Sequence, residues 1–219
     1  MDLAQHCPAL TSVDMVKTSV NFDVDKEVKK LLSFRIAEAE ARRAAEKKRK
    51  VEAEAKRAAE QKAKDQANRK KNETLPVYRY FNGSNSDHFY TTNVGEIGTS
   101  TPGHVGKHGY RFEHIAFQVY RHPGTDRWAL HRFCNRKCDH LYTTSSEEIA
   151  RLGPVHGYSF EGIVGYVPKA GALPVYRYCS PHSGDHFYTQ CAAEIGTTKC
   201  GNVGKHGYLS EGIGFFSAT

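Results

Sequence analysis

Residues 75–92 read LPVYRYFNGSNSDHFYTT, and residues 173–190 read LPVYRYCSPHSGDHFYTQ. A weaker copy lies between them at residues 129–144, ALHRFCNRKCDHLYTT, with His131 where the other two have a strand tyrosine. Each copy continues into a short acidic stretch (Glu96-Ile97-Gly98, Glu148-Ile149, Glu194-Ile195-Gly196). A His-Gly-Tyr run then follows: HGYRFEHIAF from His108, HGYSFEGIVGYV from His156 and HGYLSEGIGFF from His206. Measured between Asp-His pairs, the periods are 139 − 87 = 52 and 185 − 139 = 46, and the extra residues fall around His122–Asp126. Runs such as VYRYF and HFYTT are rich in aromatic and β-branched residues and bounded by Asn, Gly, Ser and Pro, the pattern of short strands joined by turns. A repeat this short cannot close a core alone, so three must pack about a shared axis. The expected fold is an all-β pseudo-threefold repeat domain at residues 74–219, with repeats at about 75–127, 128–172 and 173–219. A β-trefoil-like form, with four short strands per copy, is the first expectation, and a three-bladed propeller-like form the alternative.

Upstream the chain changes character. Residues 1–73 contain no Trp, Tyr or Gly, so only residues 74–219 can build an aromatic core. Residues 25–73 contain no Pro or Gly and are dominated by Ala, Glu, Lys and Arg, which predicts a long charged helix, with Asp23 or Asp25 to cap it and Glu46 and Lys50 at pairing distance. Its bulky apolar residues cluster at the start (Val28, Leu31, Leu32, Phe34, Ile36). An alanine seam (Ala37, Ala41, Ala44, Val51, Ala55, Ala58) then has coiled-coil spacing with small knobs. Two readings stay open, a solvated helix and a stalk that forms a homo-oligomer through residues 25–73. Residues 1–24 form an irregular segment without the apolar core of a secretory leader, and no stretch is apolar enough to span a membrane.

The net charge of +7 divides into +5 for residues 1–73 (18 basic, 13 acidic) and +2 for residues 74–219 (13 basic, 11 acidic). The positive charges of the helix are interleaved with Glu, which argues against nucleic acid as a partner. Five of the six cysteines lie in the repeats, and Cys134 and Cys138 bracket a hairpin tip at a spacing compatible with a short-loop disulfide as well as with free thiols. No cofactor or metal is expected, since Cys134, Cys138 and the His residues lack Cys-x2-Cys or His-Glu-x-x-His spacing. No nucleophile elbow, P-loop or dinucleotide fingerprint appears, and a triplicated active site would be unusual, so no catalytic residue is assigned.

The candidate binding residues are the triplicated Asp87, His88 and Tyr90; Asp139, His140 and Tyr142; and Asp185, His186 and Tyr188. Asp and His offer an acceptor and a donor to sugar hydroxyls, and a tyrosine offers a flat wall to a pyranose ring. The competing reading makes the same residues structural, with Asp capping the turn, His bonding to carbonyls and Tyr filling the axial core. Glu113, Glu161 and Glu211, in otherwise apolar strands, are either solvated or buried partners of a histidine or arginine.

The LPVYRY, DHFYT and GYxxEGI elements over residues 75–217 resemble a repeat domain of unknown function found alone or attached to secreted hydrolases. The resemblance implies a small β module in an accessory, extracellular role that attaches to polysaccharide or glycoprotein. Repeat two departs from it by lacking the LPVYRY opening. The expected function is therefore multivalent, lectin-like glycan recognition. The alternatives are a protein-interaction scaffold with an oligomerising helix and, more weakly, a glycoside hydrolase or its accessory module. The compartment stays open.

Overall fold

The structure, a computed structural model, describes residues 24–171 and 173–218. The irregular segment at residues 1–23, with Asp23, lies outside the described residues. Two compact units divide the chain, residues 1–61 and 62–219. The division falls within helix α1 (Val24–Lys71), which carries Asp25 and Glu27 in its first turn and Arg69, Lys70 and Lys71 in its last, complementing the helix dipole. Glu46 and Lys50 pair as expected, at 2.9 Å. Val28, Leu31, Leu32, Phe34 and Ile36 are all more than half exposed. Among the described residues no helix is long and apolar enough to cross a membrane.

The second unit is mostly β. Its strands are β1 (Thr74–Asn82), β2 (Asp87–Thr91), β3 (Arg111–Tyr120), β4 (Arg127–Asn135), β5 (His140–Thr143), β6 (Tyr158–Pro168), β7 (Pro174–Cys179), β8 (His186–Thr189) and β9 (Leu209–Phe216). Each repeat is a three-stranded antiparallel sheet with its first strand in the middle: β2-β1-β3, β5-β4-β6 and β8-β7-β9. That is one strand fewer per copy than a trefoil repeat would use. Repeats one and two fuse into one six-stranded sheet through the single pair Tyr120–Tyr166 of β3 and β6. Repeat three is tied back to repeat one where the backbone of Ala218 donates to the carbonyl of Gln118 at 2.9 Å.

The repeats share a defect as well as a pattern. The pairing of β1 with β3, β4 with β6 and β7 with β9 shifts register on both sides of Arg79, Arg132 and Arg177. The residues skipped next to these arginines on the outer strands are Glu113, Glu161 and Glu211. A bulge re-aims the side chain it carries, and here it turns each glutamate onto the arginine of its own repeat, 2.6 to 2.8 Å away. The strand glutamates are thus arginine partners.

The acidic stretches are single 3-10 turns in repeats one and three (Val94–Glu96 and Ala192–Glu194) and become an eleven-residue helix α2 (Ser146–His156) in repeat two. The side chain of Ser145 accepts from the backbone of Glu148 and caps this helix, and Gly157 ends it in the left-handed region. In the other two repeats the chain instead passes so close to the turn that a Cβ on Gly106 or Gly204 would stand 2.3 or 2.4 Å from the carbonyl oxygen of Ile97 or Ile195.

The core follows the repeat. A central cluster draws Val77, Tyr90 and Phe117 from repeat one, Leu130, Tyr142 and Val167 from repeat two, and Val175, Tyr188 and Phe215 from repeat three. One satellite cluster lies within each repeat. Arg127, buried against the ring of Tyr120 at 3.5 Å, donates to the carbonyl of Lys71 at 2.7 Å and so caps the end of α1.

Candidate functional site

The three inner strands β2, β5 and β8 converge on the axis, where their outer edges have no strand to pair with. An edge buried in this way leaves backbone groups that must be satisfied by something else. Side chains do it. The hydroxyl of Tyr142 accepts from the backbone N–H of Tyr90 at 2.7 Å and donates to its carbonyl at 2.9 Å. Tyr188 does the same for Tyr142, and Tyr90 for Tyr188, closing a ring of six bonds. The three rings meet edge to face with centroids 5.3 to 5.4 Å apart and are at most 1 % exposed.

A second ring lies beside the first. Asp87 accepts from the backbone N–H of His140 at 2.9 Å and from its Nδ1 at 2.7 Å. Asp139 binds His186 in the same way, and Asp185 binds His88. Because a carboxylate only accepts, each Nδ1 is the donor. Tyr110, Tyr158 and Tyr208, from the His-Gly-Tyr runs, donate to the same three carboxylates. The aspartates therefore reach the next repeat instead of capping their own turns. Burial opposes the charged form of His140, but its interactions with Asp87 and Cys134 outweigh it and raise its pKa to about 10. His186 is raised to about 10 by Asp139 and Cys179 against the same opposing burial. All nine predicted site residues come together, on the axis and turned inward, and every one of them bonds to a neighbouring repeat.

A third ring of contacts runs outside these two. Arg79 binds Glu194 with two parallel bonds of 2.9 and 3.1 Å, Arg132 binds Glu96 likewise, and Arg177 binds Glu148 at 2.9 Å. These residues were not among the sequence candidates, although an arginine at the same place in YRY, HRF and YRY and an acid in each following stretch were the available signal. Burial opposes the charge of Glu148, but hydrogen bonds from Arg177 and Thr143 prevail and hold its carboxyl below the usual carboxylate range.

Between neighbouring repeats, outside the rings, lie grooves. At the junction of repeats one and two, Phe89 lies under both His140 and Arg132, at 4.8 Å from each. Phe187 lies likewise under His88 and Arg79. At the junction of repeats two and three the corresponding residue is Leu141, and Cys179 stands where repeat one has Phe81. The smaller side chains leave a groove of about 760 Å³, walled by Leu141, Leu152, Tyr158 and Ile213 and rimmed by Thr143, Thr144, Ser145, Arg151, Arg177 and Glu211. The groove between repeats one and two is smaller, about 480 Å³, and holds Glu96, Arg132, His140, Glu161, Cys134 and Cys138. Both of these cysteines are free thiols, as are Cys179, Cys191 and Cys200, so the disulfide that the Cys134–Cys138 spacing allowed is not formed.

No curated protein and no solved structure gives a significant match to the chain. One family profile does, twice, over residues 34–167 and again over residues 136–219, in keeping with the internal duplication. The first match alone spans more than half of the chain, which therefore belongs to the family described as Domain of unknown function (DUF5648).

Proposed function

We propose that the chain is a carbohydrate-binding, lectin-like protein whose sugar sites are the junction grooves, with the Asp-His-x-Tyr elements holding those grooves in shape from behind. The observation that carries the reading is the groove between repeats two and three, where hydroxyls of Thr143, Thr144 and Ser145 and the charged ends of Arg151 and Glu211 surround an apolar wall of Leu141 and Ile213. A few fixed polar groups on an apolar wall suit a pyranose, whose faces are apolar and whose rim is hydroxylated. Glu148, held ionised by Arg177, suits an ion-pair role better than that of the proton donor that glycoside cleavage requires. For the architecture we favour the three-bladed, propeller-like form over the trefoil, on the strength of three strands per repeat and head-to-tail contacts between repeats.

The second reading is an interaction scaffold that oligomerises through α1. The observation favouring it is the exposed run Val28, Leu31, Leu32, Phe34 and Ile36, with relative exposures of 52–64 %. A glycan array probed with the full chain separates the two. Retention on a defined set of glycans is expected, and Ile213→Asp, at a half-exposed groove position, is expected to abolish it without altering thermal unfolding. Retention on no glycan, with light scattering showing an oligomer that collapses when residues 1–73 are removed, would leave the scaffold standing alone.

A further inference from the structure

One strand position and one loop position together distinguish repeat two at the level of chemistry. Phe81 of repeat one stacks on His88 with ring centroids 4.6 Å apart. Repeat two has Cys134 there, directly opposite His140 in the β4–β5 register, as repeat three has Cys179 opposite His186. Glu161 Oε2, turned inward by its bulge, stands 3.6 Å from His140 Nε2. The thiol sulfur, a ring nitrogen and a carboxylate oxygen of this triad all lie within 4.8 Å of one another. Bonds of 2.0–2.3 Å around a tetrahedral zinc ion place neighbouring donors roughly 3.5 Å apart, so small side-chain movements close the triangle on an ion.

Two further observations point the same way. Asp87 holds His140 by Nδ1 at 2.7 Å, which leaves Nε2 for the glutamate, 3.6 Å away. This is the carboxylate–histidine arrangement that orients imidazole toward metals. The second is Cys138, which lines the same groove and has φ 62°. The matching loop positions, Ser86 and Gly184, share this left-handed backbone (φ 55° and 86°). The left-handed backbone is thus a feature of the repeated turn, and what is particular to repeat two is the thiol that it carries there. Repeat two alone places thiols at both positions.

We propose that Cys134, Cys138, His140 and Glu161 bind a zinc-type divalent cation at the junction of repeats one and two. The site lies in the groove between repeats one and two, apart from the groove between repeats two and three that carries the sugar reading, and does not depend on that reading. On binding, the ion replaces protons on the two thiols and on His140 Nε2, which pass to solvent, and no electrons change hands. Arg132, between Glu96 and Glu161 at 2.8 Å from each, keeps the glutamate in place while its own charge stays matched.

The test is a titration of the full, reduced chain with Co²⁺, followed by competition with Zn²⁺. One equivalent of cobalt should bind with a thiolate-to-metal charge-transfer band that zinc displaces. Cys134→Phe and Cys138→Gly install residues that other repeats already carry. Each should lower the affinity about 100-fold, given that even outer-sphere partners are worth 10–100-fold, and each should leave unfolding of the metal-free chain unchanged within a few degrees. No charge-transfer band, or a band that survives both substitutions, would overturn the site. Should Cys134→Phe fail to fold, Cys134→Ser replaces it, with the same loss of affinity expected.

Discussion

At the residue scale, a tyrosine hydroxyl on the axis takes the place of a neighbouring strand. Tyr142 supplies through one oxygen both the acceptor and the donor that Tyr90 would otherwise find in a β-ladder. Removing it strips two buried backbone groups at once, each costing about 1–3 kcal/mol when left unsatisfied. Tyr142→Phe is therefore expected to lower stability by roughly 3 kcal/mol, read from the urea midpoint. A loss of under about 0.5 kcal/mol would mean that water or relaxation satisfies those groups. The repeated Tyr was legible in the sequence as an axial core residue, and the nine candidates were legible as a set. What the sequence did not reveal was direction. Identical copies announce that they touch each other, but not that the Asp of one copy bonds to the His of the next.

At the element scale, the repeats agree wherever backbone geometry binds them and diverge where it does not. Strands were legible as aromatic and β-branched runs between turn residues, and the glutamate set in each apolar strand marked where a bulge falls. Helix α2 was legible only as an acidic stretch, because the Ser145 cap that starts it has a counterpart in Asn93, which caps no more than a single turn in repeat one. The grooves were illegible, since they arise where a repeated aromatic is missing, as with Leu141 and Cys179. The close pass of Gly204 to Ile195 supplies the element-scale prediction. With backbone only 2.4 Å from a new Cβ, Gly204→Ala must displace the β8–β9 connection. An expected loss of roughly 1–3 kcal/mol appears as a lowered thermal midpoint, whereas Gly83→Ala, whose added Cβ meets nothing closer than the Phe81 ring at 3.7 Å, should cost less. Equal losses would mean that the close approach carries no cost of its own.

At the scale of the whole β unit, no repeat satisfies all of its own charges. Every Arg79, Arg132 and Arg177, and every Asp87, Asp139 and Asp185, has a partner in another repeat. Residues 173–218 expressed alone leave Arg177, Asp185 and the hydroxyl of Tyr188 without those partners, and the fragment should be unfolded as a monomer. Circular dichroism at low concentration checks this, and a cooperative unfolding transition there would show that a single three-stranded sheet suffices. The tyrosine ring has one more consequence. Its bonds run head to tail, the contact by which separate subunits close into a cyclic trimer. Here the chain itself joins the three members, so the local concentration of each partner is set by linker length and not by how much protein is present. Dilution, which takes a true trimer apart, leaves this one closed.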